Sequence, residues 1–174
     1  MRFPERSTVI GQTINSYLTN GIDMDDRAIH LLFSANRWEL SSQIKEKLKA
    51  GITLVVDRYA FSGVAFSASK PGLSLDWCKT PDAGLLAPDV VLFMDLTVEQ
   101  AMTRGQFGEE RYEKEEFQKT VHGNFMALKT PSWRIIDAFR SIEEVEKDVQ
   151  LAAMEAIELA QQGQPLRQLW DTTD

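Results

Sequence analysis

The chain has 174 residues, a formal net charge of −7 at pH 7 and a pI near 4.9. This length favours one compact domain, and a hydrophobic fraction of 43% is typical of a globular core. The acidic balance argues against broad binding to nucleic acid or anionic membranes, whereas a small phosphorylated ligand needs only a local basic cluster. No apolar run is long enough to span a membrane, and no signal core opens the sequence. Cys78 is the single cysteine, so a reducing, cytoplasmic setting is expected.

The first predicted elements are two helices. A short helix is predicted after Ser7 and Thr8, whose hydroxyls can cap it. A longer helix is predicted over residues 25–49, because apolar side chains recur there at three-or-four spacing after a capping aspartate. Gly51 is predicted to close this helix at the position that follows its C-cap.

Three apolar runs follow, separated by helical segments. Residues 52–57, 88–96 and 133–138 predict strands that are buried on both faces. Helices are predicted to begin at capping boxes after Thr97 and Ser141. Strands that alternate with helices indicate a parallel α/β sheet, which binds its ligands at the carboxyl ends of the strands.

Charged residues end each of these runs. Asp57 and Arg58 follow the first run side by side, and Asp95 and Asp137 lie at the ends of the other two. A carboxylate can act on magnesium directly or through water, and an arginine can bind phosphate oxygens with two hydrogen bonds. Asp57 and Arg58 therefore suit phosphoryl transfer. The alternative is a purely structural ion pair between the two side chains.

Further arginines suit the same chemistry. Arg6 precedes the first helix. Phe33 and Arg37 are one turn apart on the second, so Phe33 can stack on a flat base while Arg37 binds the edge of that base. The alternative for Phe33 is core packing. Arg104 and Arg111 flank the loop GQFGEE, which is either a closing lid or a solvated charged turn.

Several segments together resemble a known family. RFPERST, LLFSANRWE, VVDRYAFSGVAF, SLDWCKTPD, PDVVLFMDL and RGQFGEERYE are similar, in order and spacing, to thymidylate kinases of the eukaryotic and poxviral type. The resemblance runs nearly end to end and implies a three-layer P-loop nucleoside monophosphate kinase fold with a parallel sheet. It implies transfer of the γ-phosphoryl group of ATP to dTMP with Mg²⁺, and a homodimer. DRYAFSGVAF and FSANRWE disfavour another nucleoside monophosphate kinase.

The resemblance also implies roles for individual residues. The implied catalytic residues are Asp57, Arg58 and Arg111, with Asp57 contacting Mg²⁺ through water and no certain metal ligand. The implied ATP-binding residues are Arg58, Arg104 and Arg140, with Arg140 near the adenine. The lid is expected at about 104–118. The implied dTMP site, in which Phe33 stacks on thymine, consists of Arg6, Phe33, Arg37, Arg58, Ser62, Gly63, Phe66, Tyr112 and Gln118.

One family motif is not found in these 174 residues, namely the phosphate loop G-x-x-x-x-G-K-[ST]. In the family this loop precedes the FPER element, which here follows Met1 almost directly. The resemblance therefore implies that the first strand, the loop and the first helix are missing, as in a truncated isoform or an incomplete gene model. We expect little kinase activity from the chain alone. The alternative function is a non-catalytic form that binds dTMP weakly or only dimerises.

Overall fold

The structure is a computed structural model, and it describes residues 1–103 and 115–171. The described residues divide into two compact units. The first unit comprises residues 1–86, 115–128 and 168–171, and the second comprises residues 87–103 and 129–167. The prediction of one domain for the whole chain stays a prediction. Within the described ranges, no helix has both the length and the hydropathy that crossing a membrane requires.

The first unit is helical where it is described. Its elements are α1 (Val9–Leu18), α2 (Asp26–Trp38), α3 (Ser41–Lys49), α4 (Ala60–Ala68), α5 (Leu75–Lys79), a 3₁₀ turn at Thr80–Asp82, and α7 (Glu115–Leu128). The second unit contains β1 (Val91–Asp95), α6 (Val98–Thr103), β2 (Trp133–Asp137) and α8 (Ile142–Gln161).

The two strands of the second unit are parallel neighbours. Their register pairs Val91 with Trp133 at one end and Asp95 with Asp137 at the other. The predicted strands at 88–96 and 133–138 are therefore confirmed, but their predicted burial on both faces is wrong, since Met94 and Ile135 are 44% and 38% exposed. Because both strands run in the same direction, their terminal aspartates lie side by side at one edge of the sheet, as expected.

The predicted strand at 52–57 is wrong for the part of the chain that the structure describes. A single parallel bridge links Asp57 to Arg2. In it, the Asp57 N–H donates to the Met1 carbonyl at 2.9 Å, and the Phe3 N–H donates to the Asp57 carbonyl at 2.9 Å. Val55 is 82% exposed. An apolar run predicts burial, but a strand also requires a partner along its length, and this segment is paired only at its end.

The predicted helix over 25–49 is in fact two helices, α2 and α3. The break falls at Glu39 and Leu40, where Leu40 has φ −101° and ψ −3° and precedes the first residue of α3. Apolar spacing continues across this break, and therefore the periodicity did not reveal it. Trp38 is tied at the end of α2 by its indole N–H, which donates to the Pro81 carbonyl at 2.7 Å.

The predicted helix ends are confirmed. The N–H groups of Gly51 and Ile52 donate to the carbonyls of Leu48 and Lys47, both at 3.0 Å, and Gly51 has φ +76°. This is a Schellman motif, in which glycine meets the left-handed conformation without a steric penalty. The capping side chains that accept hydrogen bonds from the first turns are Thr8, Asp25, Thr97 and Ser141.

The core of the first unit positions its central helices. Ile14, Tyr17 and Ile29 are fully or almost fully buried between α1 and α2. Helix α4 packs against α2, α5 and α7. Its buried side chains include Ala60 and Ala65, and residues this small allow neighbouring helices to approach closely. The segment that precedes α4 is thereby held against α2, which carries several of the predicted site residues.

Candidate functional site

Arg58 stands at the entrance to α4 in an unusual backbone conformation. Its φ is +61°, in the left-handed region, which costs an L-residue about 1–2 kcal/mol. Its side chain is exposed, and the guanidinium carbon lies 5.5 Å from the centroid of the Phe66 ring. Phe66 is in turn flanked by Phe117 and Phe125 of α7, at centroid distances of 6.2 and 6.4 Å. Backbone strain of this kind is concentrated at functional sites.

Arg37 is buried on α2 and has a charged partner that sequence reasoning missed. Its Nε and Nη2 atoms donate to Oδ1 and Oδ2 of Asp82 at 3.0 and 2.6 Å. The two side chains are 3% and 0% exposed. A Cβ atom added to Gly63 would lie 3.0 Å from both Nη1 and Nη2 of Arg37. Gly63 therefore permits a close approach between α4 and this guanidinium.

Two titratable side chains lie in the same interior. Burial raises the pKa of Tyr59 to about 12, with the nearby charges of Arg37 and Asp82 acting in opposite directions. Tyr59 is therefore neutral at physiological pH, and its ring packs on Phe3 at 5.6 Å. Burial likewise raises the pKa of Cys78 to about 11, so this fully buried thiol stays protonated at physiological pH.

His30 is fully buried between α2, α4 and α5. Its Nε2 lies 2.9 Å from the Cys78 carbonyl, and its Nδ1 lies 2.8 Å from the Ser67 hydroxyl. Because a carbonyl only accepts, Nε2 carries the proton and Nδ1 accepts from Ser67. Burial lowers the pKa of His30. Both ring nitrogens thus link α2 to the neighbouring helices α4 and α5.

The loop that carries Arg6 is also fixed by α2. Asn36 donates through Nδ2 to the Glu5 carbonyl at 3.1 Å and accepts the Glu5 N–H at 2.8 Å. Arg6 itself is exposed and donates through Nη1 to Asn15 Oδ1 at 2.9 Å. One helix therefore positions both Arg37 and the segment that presents Arg6.

Asp57 is exposed, and its ion-pair partner is Arg2. The Arg2 Nε to Asp57 Oδ2 distance is 3.2 Å, and the side chains are 70% and 62% exposed, so this pair contributes little stability. The alternative of a structural pair between Asp57 and Arg58 is not observed. No group of three or more potential metal ligands occurs within residues 1–103 and 115–171. An accessible carboxylate does fit a Mg²⁺ ion that is held through water and substrate phosphates.

The remaining predicted residues of the dTMP site fall in three places. Phe33 is half-buried and packs against the core of α1 and α2, so its stacking role stays a prediction. Ser62 is half-buried on α4, and Gln118 is half-buried on α7, next to Phe117. The predictions for Arg104, Arg111 and Tyr112 lie outside the described residues.

The second unit has its own polar edge at the strand ends. Asp95, Asp137, Thr97 and Gln100 line part of a shallow depression of about 260 Å³. Arg140 donates through Nε to the Asp137 carbonyl at 3.2 Å and forms an ion pair with Asp148. That hydrogen bond with Asp148 raises the pKa of Arg140. Its predicted position near adenine stays a prediction.

Asp82 had no signal of its own in the sequence. It lies in SLDWCKTPD, a segment that supported the family resemblance, but no role was predicted for it. It is 45 residues from Arg37 along the chain. A single aspartate in a short turn is ordinarily solvated, so only its burial against Arg37 distinguishes it.

Comparison of this chain with known structures and sequences identifies its class of protein. A solved structure of thymidylate kinase from Candida albicans matches with a TM-score of 0.85 at 36% identity, over 97% of this chain and 84% of that chain. The fold is that of the P-loop nucleoside monophosphate kinases. The sequence model described as thymidylate kinase matches residues 1–149. This chain belongs to the thymidylate kinase family.

Two relatives show how much of the family's length is represented. The thymidylate kinase of Arabidopsis thaliana is 52% identical over 171 residues, which is 98% of this chain and 65% of that protein. The thymidylate kinase of Homo sapiens is 52% identical over 173 residues, which is 98% of this chain and 81% of that protein. The chain therefore spans about two thirds to four fifths of these relatives.

Proposed function

We propose that these residues form the dTMP site of a kinase that transfers the γ-phosphoryl group of ATP to dTMP, giving dTDP. The observation that carries the proposal is that one exposed and one buried arginine both lie against helix α4. Arg58 is exposed beside Phe66, and Arg37 is buried against Gly63. A nucleotide needs both an exposed cation for its phosphate and a fixed donor for its base, and membership of the family gives the substrate.

In this proposal each residue has a limited task. Arg58 and Arg6 bind and orient the phosphate of dTMP, because positioning and charge stabilisation account for most of catalysis in phosphoryl transfer. Asp57 would hold Mg²⁺ through water, and the ion would supply charge neutralisation for the phosphoryl oxygens. Phe33 stacks on thymine while Arg37 binds its edge. The pocket is completed by Ser62, Gly63, Phe66, Tyr112 and Gln118.

The ATP side is proposed on the family resemblance. Arg104 and Arg111 would close over the phosphates from the lid at about 104–118, with Arg111 acting in catalysis. Arg140 would lie near the adenine, and Arg58 would also contact the transferred phosphoryl group. We propose a homodimer in the cytoplasm, with dTMP and ATP as its small-molecule partners.

The test separates binding from turnover. The phosphate loop is not among these 174 residues, so we expect the purified chain to bind dTMP in equilibrium dialysis but to form no measurable dTDP with ATP and Mg²⁺. Joining a phosphate-loop segment from a relative ahead of Met1 should produce dTDP, followed by chromatography. Equal binding of dTMP and dAMP would refute the dTMP site. Turnover of about 1–100 per second by the unmodified chain would contradict the expected need for the loop.

A further inference from the structure

The buried ion pair between Arg37 and Asp82 is bidentate, and its contribution to stability does not by itself explain this arrangement. Among the ion pairs of the described residues it is the one with both side chains buried, at 3% and 0% exposure. Buried ion pairs are weak contributors to stability, because the desolvation of two charges offsets their attraction. A bidentate contact does, however, fix the plane of a guanidinium.

The same contact determines which donors of Arg37 remain. A guanidinium has five N–H groups and no acceptor. Asp82 takes the Nε–H and one hydrogen of Nη2. The remaining donors are on Nη1 and Nη2, the two atoms nearest to Gly63. Because Gly63 has no side chain, no Cβ atom crowds that edge of the buried guanidinium where it lies against α4.

We propose that Asp82 is a positioning residue that holds Arg37 as a donor-only reader of a base carbonyl, and that it thereby sets a preference for thymine over cytosine. The proposal rests on the proposed dTMP site. Thymine presents the acceptor O4 where cytosine presents an amino donor. A fixed edge with donors alone binds the first and leaves a donor facing a donor with the second, which is unfavourable in a buried site. Asp82 acts through Arg37 and does not touch the nucleotide.

Two substitutions test the proposal by different routes. Asp82→Asn replaces one acceptor with an amide donor and so releases the guanidinium plane. Gly63→Ala keeps both charges but places a methyl group 3.0 Å from Nη1 and Nη2. Alanine favours a helix more than glycine does, so Gly63→Ala should not weaken α4 itself. The matched control is Asp76→Asn, because the Asp76 side chain is 95% exposed in the same region of the chain.

The readout is the binding of dTMP, dCMP and dUMP to the full chain by equilibrium dialysis, beside a melting curve for each variant. We expect the ratio of dTMP to dCMP affinity to fall by about tenfold, equivalent to about 1.4 kcal/mol, in Asp82→Asn and in Gly63→Ala. The ratio of dTMP to dUMP should not change, because both bases carry the O4 carbonyl. Asp76→Asn should keep both ratios.

The outcomes distinguish this inference from the proposed function. An unchanged dTMP to dCMP ratio in a folded Asp82→Asn variant would overturn the positioning role while leaving the dTMP site intact. If Asp82→Asn does not fold, Gly63→Ala decides alone, and an equal loss of affinity for all three nucleotides overturns the inference as a mere steric effect. Absence of dTMP binding in the unsubstituted chain would overturn both proposals.

Discussion

The guanidinium groups of Arg58 and Arg37 differ in exposure and in charge compensation. Arg58 is exposed and lies over the Phe66 ring, so its charge is available to an incoming anion. The charge of Arg37 is already compensated by Asp82 within the interior. A compensated cation offers directional donors without strongly attracting a phosphate. In the proposed site, this difference in exposure suits Arg58 to the phosphate and Arg37 to the base.

The role of Arg58 can be measured in a chain supplied with a phosphate loop. In the proposed site, Arg58→Ala removes a donor to developing charge, and we expect kcat to fall by about 100-fold, the usual effect of one such donor. The control is Arg2→Ala, which removes the exposed partner of Asp57 and should change kcat by less than about twofold. A loss confined to KM would mean that Arg58 binds substrate and transition state equally.

The backbone of Arg58 gives a second prediction, for stability. Arg58→Gly and Arg58→Ala both remove the side chain, but only glycine adopts a φ of +61° without strain. We expect the glycine variant to have a free energy of unfolding about 1 kcal/mol higher than the alanine variant in urea denaturation. Equal stabilities would show that the left-handed conformation is not maintained once the arginine is gone.

At the level of elements, α2 is the helix that positions several residues of the proposed site. Ser34 donates to the Pro81 carbonyl at 2.9 Å, Arg37 pairs with Asp82, and Asn36 holds Glu5 through both atoms of its amide. Successive residues of a helix point about 100° apart. Helix α2 thus fixes the turn at Thr80–Asp82 and the loop before α1 with side chains only a few positions apart.

The end of α3 depends on one glycine, and the chain contains a matched control. Gly51→Ala would force alanine into φ +76° although nothing lies within 4 Å of the added Cβ, so the free energy of unfolding should fall by about 1 kcal/mol from backbone strain alone. Gly123 lies within α7 and is equally open. Gly123→Ala should therefore raise the free energy of unfolding by about 0.5–1 kcal/mol. Denaturant melts that place both variants on the same side of the unsubstituted chain would contradict this assignment.

At the level of the whole molecule, the links between helices include a neutral buried histidine, and this makes stability depend on pH. Burial holds the pKa of His30 below its ordinary value of 6.5. As pH falls below 6.5, the unfolded state therefore binds a proton before the folded state does. The stability that neutral His30 contributes is present above pH 6.5 and is lost as pH falls from there toward the folded pKa.

We therefore expect the pH dependence of the free energy of unfolding in this range to come mainly from His30. Between pH 7.5 and 5.5 we expect the free energy of unfolding to decrease by up to about 1 kcal/mol per pH unit. His30→Gln should remove most of that slope, since no imidazole remains to be protonated in the buried position. His122→Gln removes the other histidine of the chain and is the control. A slope that persists in His30→Gln would assign it to other groups.

The sequence alone determined the local features and the family. Thr8 and Asp25 cap the starts of their helices and Gly51 closes the end of α3, as predicted, because capping depends on residues a few positions apart. The strands that end at Asp95 and Asp137 were predictable for a similar reason, since a continuous apolar run between capped helices leaves few alternatives. The family followed from motif order, and motifs of consecutive residues need no knowledge of tertiary contacts.

Only the tertiary structure decided which distant residues become partners. The pairing of Arg37 with Asp82 spans 45 residues, and Asp57 and Arg2 are likewise distant from each other in the sequence. The same holds for the run at 52–56, which forms no strand although the Val55 carbonyl accepts from the Met1 amine, because a strand requires a neighbour along its whole length. The spacing of apolar residues and the secondary-structure propensity indicate which face of a segment is buried. They do not specify which groups meet there, because that depends on how separate elements pack.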